Sequence, residues 1–145
     1  YPTLGRRSYS GGAHTGYGPS GNHQQNMERA NASVLAIAQI ETVEGVRNCD
    51  EILSVEGLDA AIIGPCDLAI SMGEPDNVGC DEELALIDAV QDACKKHGKG
   101  FGIIGGNALL ARYANDINLM VSAIDTHILR DSFAAAVDDY RKIGE

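Results

Sequence analysis

Cations are scarce in this 145-residue sequence: Lys plus Arg number 11 against 21 Asp plus Glu, a formal net charge of −10. Such a balance repels a phosphate backbone, so no nucleic-acid partner is expected. Also missing is any apolar run near the roughly 18–20 residues that span a bilayer. Residues 1–31 are polar and glycine-rich rather than basic and then apolar, which is not the pattern of a signal peptide. A soluble, cytoplasmic protein with no membrane partner is therefore expected. The cysteines Cys49, Cys66, Cys80 and Cys94 include no Cys-x-x-Cys pair and no His at zinc-finger spacing. Structural zinc and a disulfide framework are set aside, leaving free thiols of a reducing compartment. The first residue is Tyr1 rather than Met, which fits a piece of a longer polypeptide.

What is present is ordinary for a globular chain, 44% hydrophobic and 22% charged, and long enough for one domain with a core. Residues 1–32 form a Gly-rich arm ending in a short predicted helix over "NHQQNMERAN". From residue 33 to 145 strand and helix patterns alternate. "SVLAIAQIE" reads as a strand, and "TVEGVRNCDEILSVEG" carries a helical stripe of Val43, Val46, Ile52 and Leu53 with Gly57 as its stop. "LDAAIIG" is a second strand, followed by a loop rich in Gly, Pro and Asp. "DEELALIDAVQDACKKHG" is the clearest helix, with acids first, bases last and Gly98 beyond. "GFGIIG" and "INLMVSAI" are the third and fourth strands, separated by a short helix over "NALLARYAND". "THILRDSFAAAVDDYRKIGE" closes the chain as an amphipathic helix. Strands this short and apolar on both faces are expected to be parallel and covered by helices. An open doubly wound sheet and a segment of a (β/α)8 TIM barrel both satisfy that pattern. A whole barrel takes about 250 residues, so four βα units with an arm come close to half of one.

In both architectures ligands bind at the carboxyl ends of the strands. Those ends carry Gln39 and Glu41, then Gly64 to Asp67, then Ile104 to Asn107, then Asp125. Glu41 and Asp67 are one βα unit apart, so neighbouring strands would bring two carboxylates together. Carboxylates that close share a proton or a cation, and a hard divalent ion suits them. The alternative is a solvated Glu41 opening a helix and an Asp67 that caps the next one. Gly64-Pro65-Cys66 is either a tight turn or a turn whose following N–H groups meet an anion. With no histidine spaced to activate it, Cys66 reads as a small packing residue. His14 and His23 lie in the arm, and His97 in the last turn of a helix; none of them, nor His127, has a role fixed by spacing. "GIIGGN" lacks both dinucleotide-binding and P-loop spacing.

The stretch "AQIETVEGVRNCDEILSVEGLDAAIIGPCDLAISMG" resembles the metal-dependent class II pyruvate aldolases of the HpcH/HpaI aldolase/citrate lyase family. Similarity extends from "YPTLGRR" to "IDTHILR". The resemblance implies a TIM barrel of which this chain is roughly the second half. It implies that Glu41 and Asp67 are the protein ligands of Mg²⁺, Mn²⁺ or Co²⁺, and that Gln39, Gly64, Pro65 and Cys66 contact the pyruvate part of a 2-oxo acid. The reaction implied is cleavage of a 4-hydroxy-2-oxo acid to pyruvate and an aldehyde through a metal-stabilised enolate. The family's general-base His is expected upstream of this chain, so no residue here is assigned to it. Homo-oligomers are expected of the intact protein. Two other functions stay open, a citrate-lyase-like or acyl-CoA lyase activity and a non-catalytic half-barrel.

Overall fold

The computed structural model describes residues 1–10, 12–13, 17 and 22–143; His14 lies outside them. Two compact units divide at Leu35. The first contains helix α1 (His23–Ser33), started by Asn22, whose side chain accepts the Gln25 N–H. Tyr9 stands edge-on to Tyr1 and to His23, with ring centroids 5.5 and 5.2 Å apart.

The second unit is built on four short strands, β1 (Ile37–Ile40), β2 (Ala60–Ile63), β3 (Gly100–Ile104) and β4 (Leu119–Val121). They pair in parallel in the order β1-β2-β3-β4, with β1 and β4 at the two edges of the sheet among the described residues. Consecutive strands lying side by side need crossovers, and helices supply them: α2 (Val43–Arg47), α3 (Cys49–Leu53), α4 (Pro65–Met72), α5 (Asp81–His97), α6 (Asn107–Arg112) and α7 (Asp125–Lys142). Ile40, Ala61, Ile63, Phe101 and Ile103 of the sheet pack with Leu53, Leu68, Ile87, Val90 and Cys94 of the helices. The intervening positions Gln39, Ile62 and Gly102 share one row on the other sheet face. Gly102 is required there, because a Cβ would come within 2.8 Å of the Leu119 carbonyl oxygen on the neighbouring strand.

The single helix expected after β1 forms as two. Thr42 caps α2 by accepting the Gly45 N–H at 3.0 Å, and the axis breaks at Asn48, which sits at φ −99°, ψ 7°. Asn tolerates that bridge conformation and is a weak helix former. Helix α3 ends at Leu53, so Gly57, with φ +84°, serves a later turn instead of stopping the helix. The loop expected after β2 begins as a helix: Pro65 at the first position of α4 is already set to helical φ, and left-handed Gly73 ends it. Helix α5 follows the sequence pattern, with Asp81 to Glu83 at its start, Lys95 to His97 at its end and left-handed Gly98 after it. Lys96 and His97 both meet Asp50 of α3, at 2.6 and 2.8 Å. No residue of α7 is buried, although it carries Ile128, Leu129, Phe133 and Val137.

Candidate functional site at the strand ends

An open cleft of about 990 Å³ lies along the carboxyl edge of the sheet and continues between α6 and α7. Of the six residues singled out in the sequence, Gln39, Gly64, Pro65, Cys66 and Asp67 line it. Glu41 stands just behind that lining. Its Oε2 accepts a hydrogen bond from Gln39 Nε2 at 2.5 Å. The parallel register pairs Ile40 with Ile63, so the next residue on each strand, Glu41 and Gly64, emerge side by side. Gly64 is buried, and a Cβ on it would lie 3.1 Å from Glu41 Oε2, 3.1 Å from Gln39 Nε2 and 3.2 Å from Glu41 Cβ. Its φ of −102° is open to any residue, so close approach is what calls for glycine here.

Helix α4 starts at once from that glycine. Gly64 is the N-cap and no side chain caps the helix, so Asp67 is not the cap that the plainer reading proposed. It stands in the first turn, where the helix dipole favours its charge. Pro65 has no N–H, and the first amide to bond within the helix is Leu68, to the Gly64 oxygen at 3.0 Å. The N–H groups of Cys66 and Asp67 are thus the two orphan donors of this helix start. Cys66 and Asp67 are both exposed.

For a divalent cation this edge offers two hard carboxylates, Glu41 and Asp67. No group of three or more His, Cys, Asp or Glu side chains forms a cation cage among the described residues. A two-carboxylate donor set fits an ion that fills its remaining positions with water and substrate oxygens. It does not fit zinc, which takes three or four protein ligands with nitrogen or sulfur among them.

Asp125, also expected at a strand end, does not line the cleft; its Oδ1 accepts the N–H of Thr126 at 2.7 Å. Instead, His127 and Asp131 of α7 face the cleft one turn apart. Arg112 of α6 does so too, held by Asp88 at 3.0 Å and by the Tyr113 hydroxyl at 3.2 Å. Burial, and then its hydrogen bond to Asp88, push the Tyr113 phenol up to about 12. Val78 and Gly79 form a further wall. That wall is latched by Glu83 of α5, a fully buried carboxylate that accepts the Gly79 N–H through Oε2. Sequence reasoning missed Val78 and Gly79, though the Glu three residues into α5 is a recognisable signal for such a latch.

A parallel sheet whose strands lie in chain order, with polar residues gathered at the strand ends, is the arrangement of a barrel-type α/β protein. Residues 14–122 match the family profile, and the chain belongs to the HpcH/HpaI aldolase/citrate lyase family. It is 30% identical over 145 residues to a 2-keto-3-deoxy-L-rhamnonate aldolase from Salmonella schwarzengrund, covering 99% of this chain and 54% of that one. Its structure is similar to the HpcH/HpaI aldolase of Desulfitobacterium hafniense DCB-2, with a TM-score of 0.77, 27% identity and coverage of 97% of this chain and 55% of that chain. A family protein of Burkholderia cenocepacia J2315 superposes with a TM-score of 0.76 at 27% identity, over 96% of this chain and 54% of the other. The chain spans about half the length of the curated relatives it matches. Its four parallel strands correspond to about half of the family's TIM barrel.

Proposed function

We propose that this half-barrel is part of a metal-dependent aldolase that cleaves a 4-hydroxy-2-oxo acid to pyruvate and an aldehyde. The observation that carries this reading is the close packing at Gly64, where an added Cβ would lie 3.1 Å from both Gln39 Nε2 and Glu41 Oε2, so that one strand end meets the start of the helix bearing Asp67. In this reading Glu41 and Asp67 hold a divalent cation, Mg²⁺, Mn²⁺ or Co²⁺. When bound, such a cation polarises the 2-oxo group and offsets the charge that develops on its oxygen as the carbon–carbon bond breaks. The N–H groups of Cys66 and Asp67 donate to the substrate carboxylate, with Gly64 and Pro65 keeping the backbone close and free of side-chain bulk. Gln39 gives one amide hydrogen to Glu41 and keeps its carbonyl oxygen and second hydrogen for the substrate. The base that takes the C4 hydroxyl proton is assigned to the other half of the barrel. The intact protein is proposed to be a cytoplasmic homo-oligomer.

The 30% identical aldolase supports this reading over the citrate-lyase-like or acyl-CoA lyase alternative. Coenzyme A carries phosphates, yet the described lining has one Arg and no Lys, and that Arg112 is already paired with Asp88. The test is pyruvate release from a 4-hydroxy-2-oxo acid by the full-length polypeptide that contains this sequence. EDTA should abolish it and Mn²⁺ or Mg²⁺ restore it, while turnover indifferent to chelation would sink the proposal.

A further inference from the structure

Helix α4 does more at this edge than present Asp67. Ser71 lies one turn further along the same face, and its Oγ accepts the backbone N–H of Val43 at 3.0 Å. Val43 is the first residue of α2, so its amide has no partner within its own helix. It also stands two residues beyond Glu41. On the strand side, Glu41's segment is tied by the Gly64 N–H donating to the Ile40 oxygen at a long 3.3 Å. The Ser71–Val43 bond is the tie on the other side. The helix that carries one carboxylate therefore grips the backbone that carries the other.

We infer that Ser71 is a positioning residue for the cation site, fixing the Glu41 turn relative to Asp67 through the Val43 amide. The inference rests on the reading of Glu41 and Asp67 as cation ligands. Partners that orient a ligand typically change metal affinity by about 10–100-fold when removed, and an indirect, backbone-mediated grip belongs at the lower end of that range.

Mn²⁺ titration of the protein, followed by the electron paramagnetic resonance of free Mn²⁺, reads this without any turnover. Ser71→Ala removes the acceptor. Val43→Pro removes the donor by an independent route, because proline is tolerated at a first helical position and the extended Thr42 (φ −136°, ψ 151°) accepts a following proline. Each should raise the Mn²⁺ Kd about tenfold, and the double variant should be no worse than either alone, since both cut one bond. Ser71→Thr, which keeps the hydroxyl, should bind as the parent does. Wild-type affinity in folded Ser71→Ala and Val43→Pro proteins, with Glu41→Gln having lost the ion, would overturn the role of Ser71 alone. Wild-type affinity in Glu41→Gln and Asp67→Asn would overturn the ligand reading and this inference with it. A lowered unfolding temperature in either single variant with unchanged Mn²⁺ Kd would make the bond merely a helix cap.

Discussion

Adding one methyl group at Gly64 and at Gly102 should damage the protein in two different ways. At Gly102 the new Cβ would lie 2.8 Å from the Leu119 carbonyl oxygen, 3.0 Å from Leu119 Cβ and 3.2 Å from Ile62 Cγ1. The carbonyl is backbone in a paired strand, so relief means prising β4 from β3. Overpacking of this kind costs about 1–3 kcal/mol, and the rigid obstacle puts Gly102→Ala near about 3 kcal/mol on that scale. At Gly64 the obstacles at 3.1 Å are the ends of two side chains, Gln39 Nε2 and Glu41 Oε2, with Glu41 Cβ at 3.2 Å. They need yield only a few tenths of an ångström. The lost freedom of the unfolded chain offsets about 0.4–1 kcal/mol of that strain, because φ there is already accessible to alanine. Gly64→Ala should thus stay within about 1 kcal/mol of the parent in stability. Its effect falls on Glu41, the side chain that must move. Urea unfolding at equal m-value and Mn²⁺ titration should give opposite rankings, with Gly102→Ala the less stable and Gly64→Ala the weaker metal binder. Equal loss of stability in both, or Gly64→Ala binding Mn²⁺ as tightly as the parent, would refute the reasoning.

Tyr113 provides a pH test. Its folded-state pKa, raised to about 12 from the ordinary 10.0, means that its contribution to stability is fully present below pH 10 and is lost as pH rises towards about 12. One tyrosinate should appear late in an alkaline absorbance titration, and Tyr113→Phe should remove it along with part of the alkaline loss of stability. At neutral pH the same substitution forfeits the 2.7 Å bond to Asp88, about 1 kcal/mol by urea unfolding. Thiol labelling should separate the cysteines: Cys66 is exposed and Cys80 half-buried, while Cys49 and Cys94 are buried. Burial also pushes the Cys94 thiol up to about 11, so two thiols should react in the native protein and two more only after denaturation. Fast reaction of all four without denaturant would contradict the packing of α3 on α5.

All four strands and their parallel sense were legible in the sequence from short apolar runs alternating with helical stripes such as Leu84, Ile87, Val90 and Cys94, whereas the order β1-β2-β3-β4 was not, since a doubly wound sheet satisfied the same pattern. The break at Asn48 was not, since Val46, Cys49 and Leu53 keep helical spacing across it and only the backbone angle reveals the corner. Nor was α4, whose Gly-Pro opening has the composition of a turn; Pro65 at a first helical position serves a helix equally well. At the strand ends Gln39 and Gly64 to Asp67 could be read from their order along the chain. Arg112, His127 and Asp131 could not, because they reach the cleft from helix faces whose orientation depends on packing between α6 and α7. The Ser71–Val43 bond joins residues 28 apart, a partnership with no local signature.

Helix α7 has eighteen residues and buries none of them. With none of its side chains buried, it depends mainly on its own hydrogen bonds and ion pairs, which by themselves leave a helix of that length marginal in water, so it should open ahead of the sheet. Its amide protons should exchange with solvent at a rate set by one helix–coil equilibrium, while those of Ile63 and Ile103 wait for the whole domain to open. Any surface that covers Leu129, Phe133 and Val137 would slow exchange along the entire helix at once, which makes α7 a built-in reporter of whether this half-barrel has found its complement.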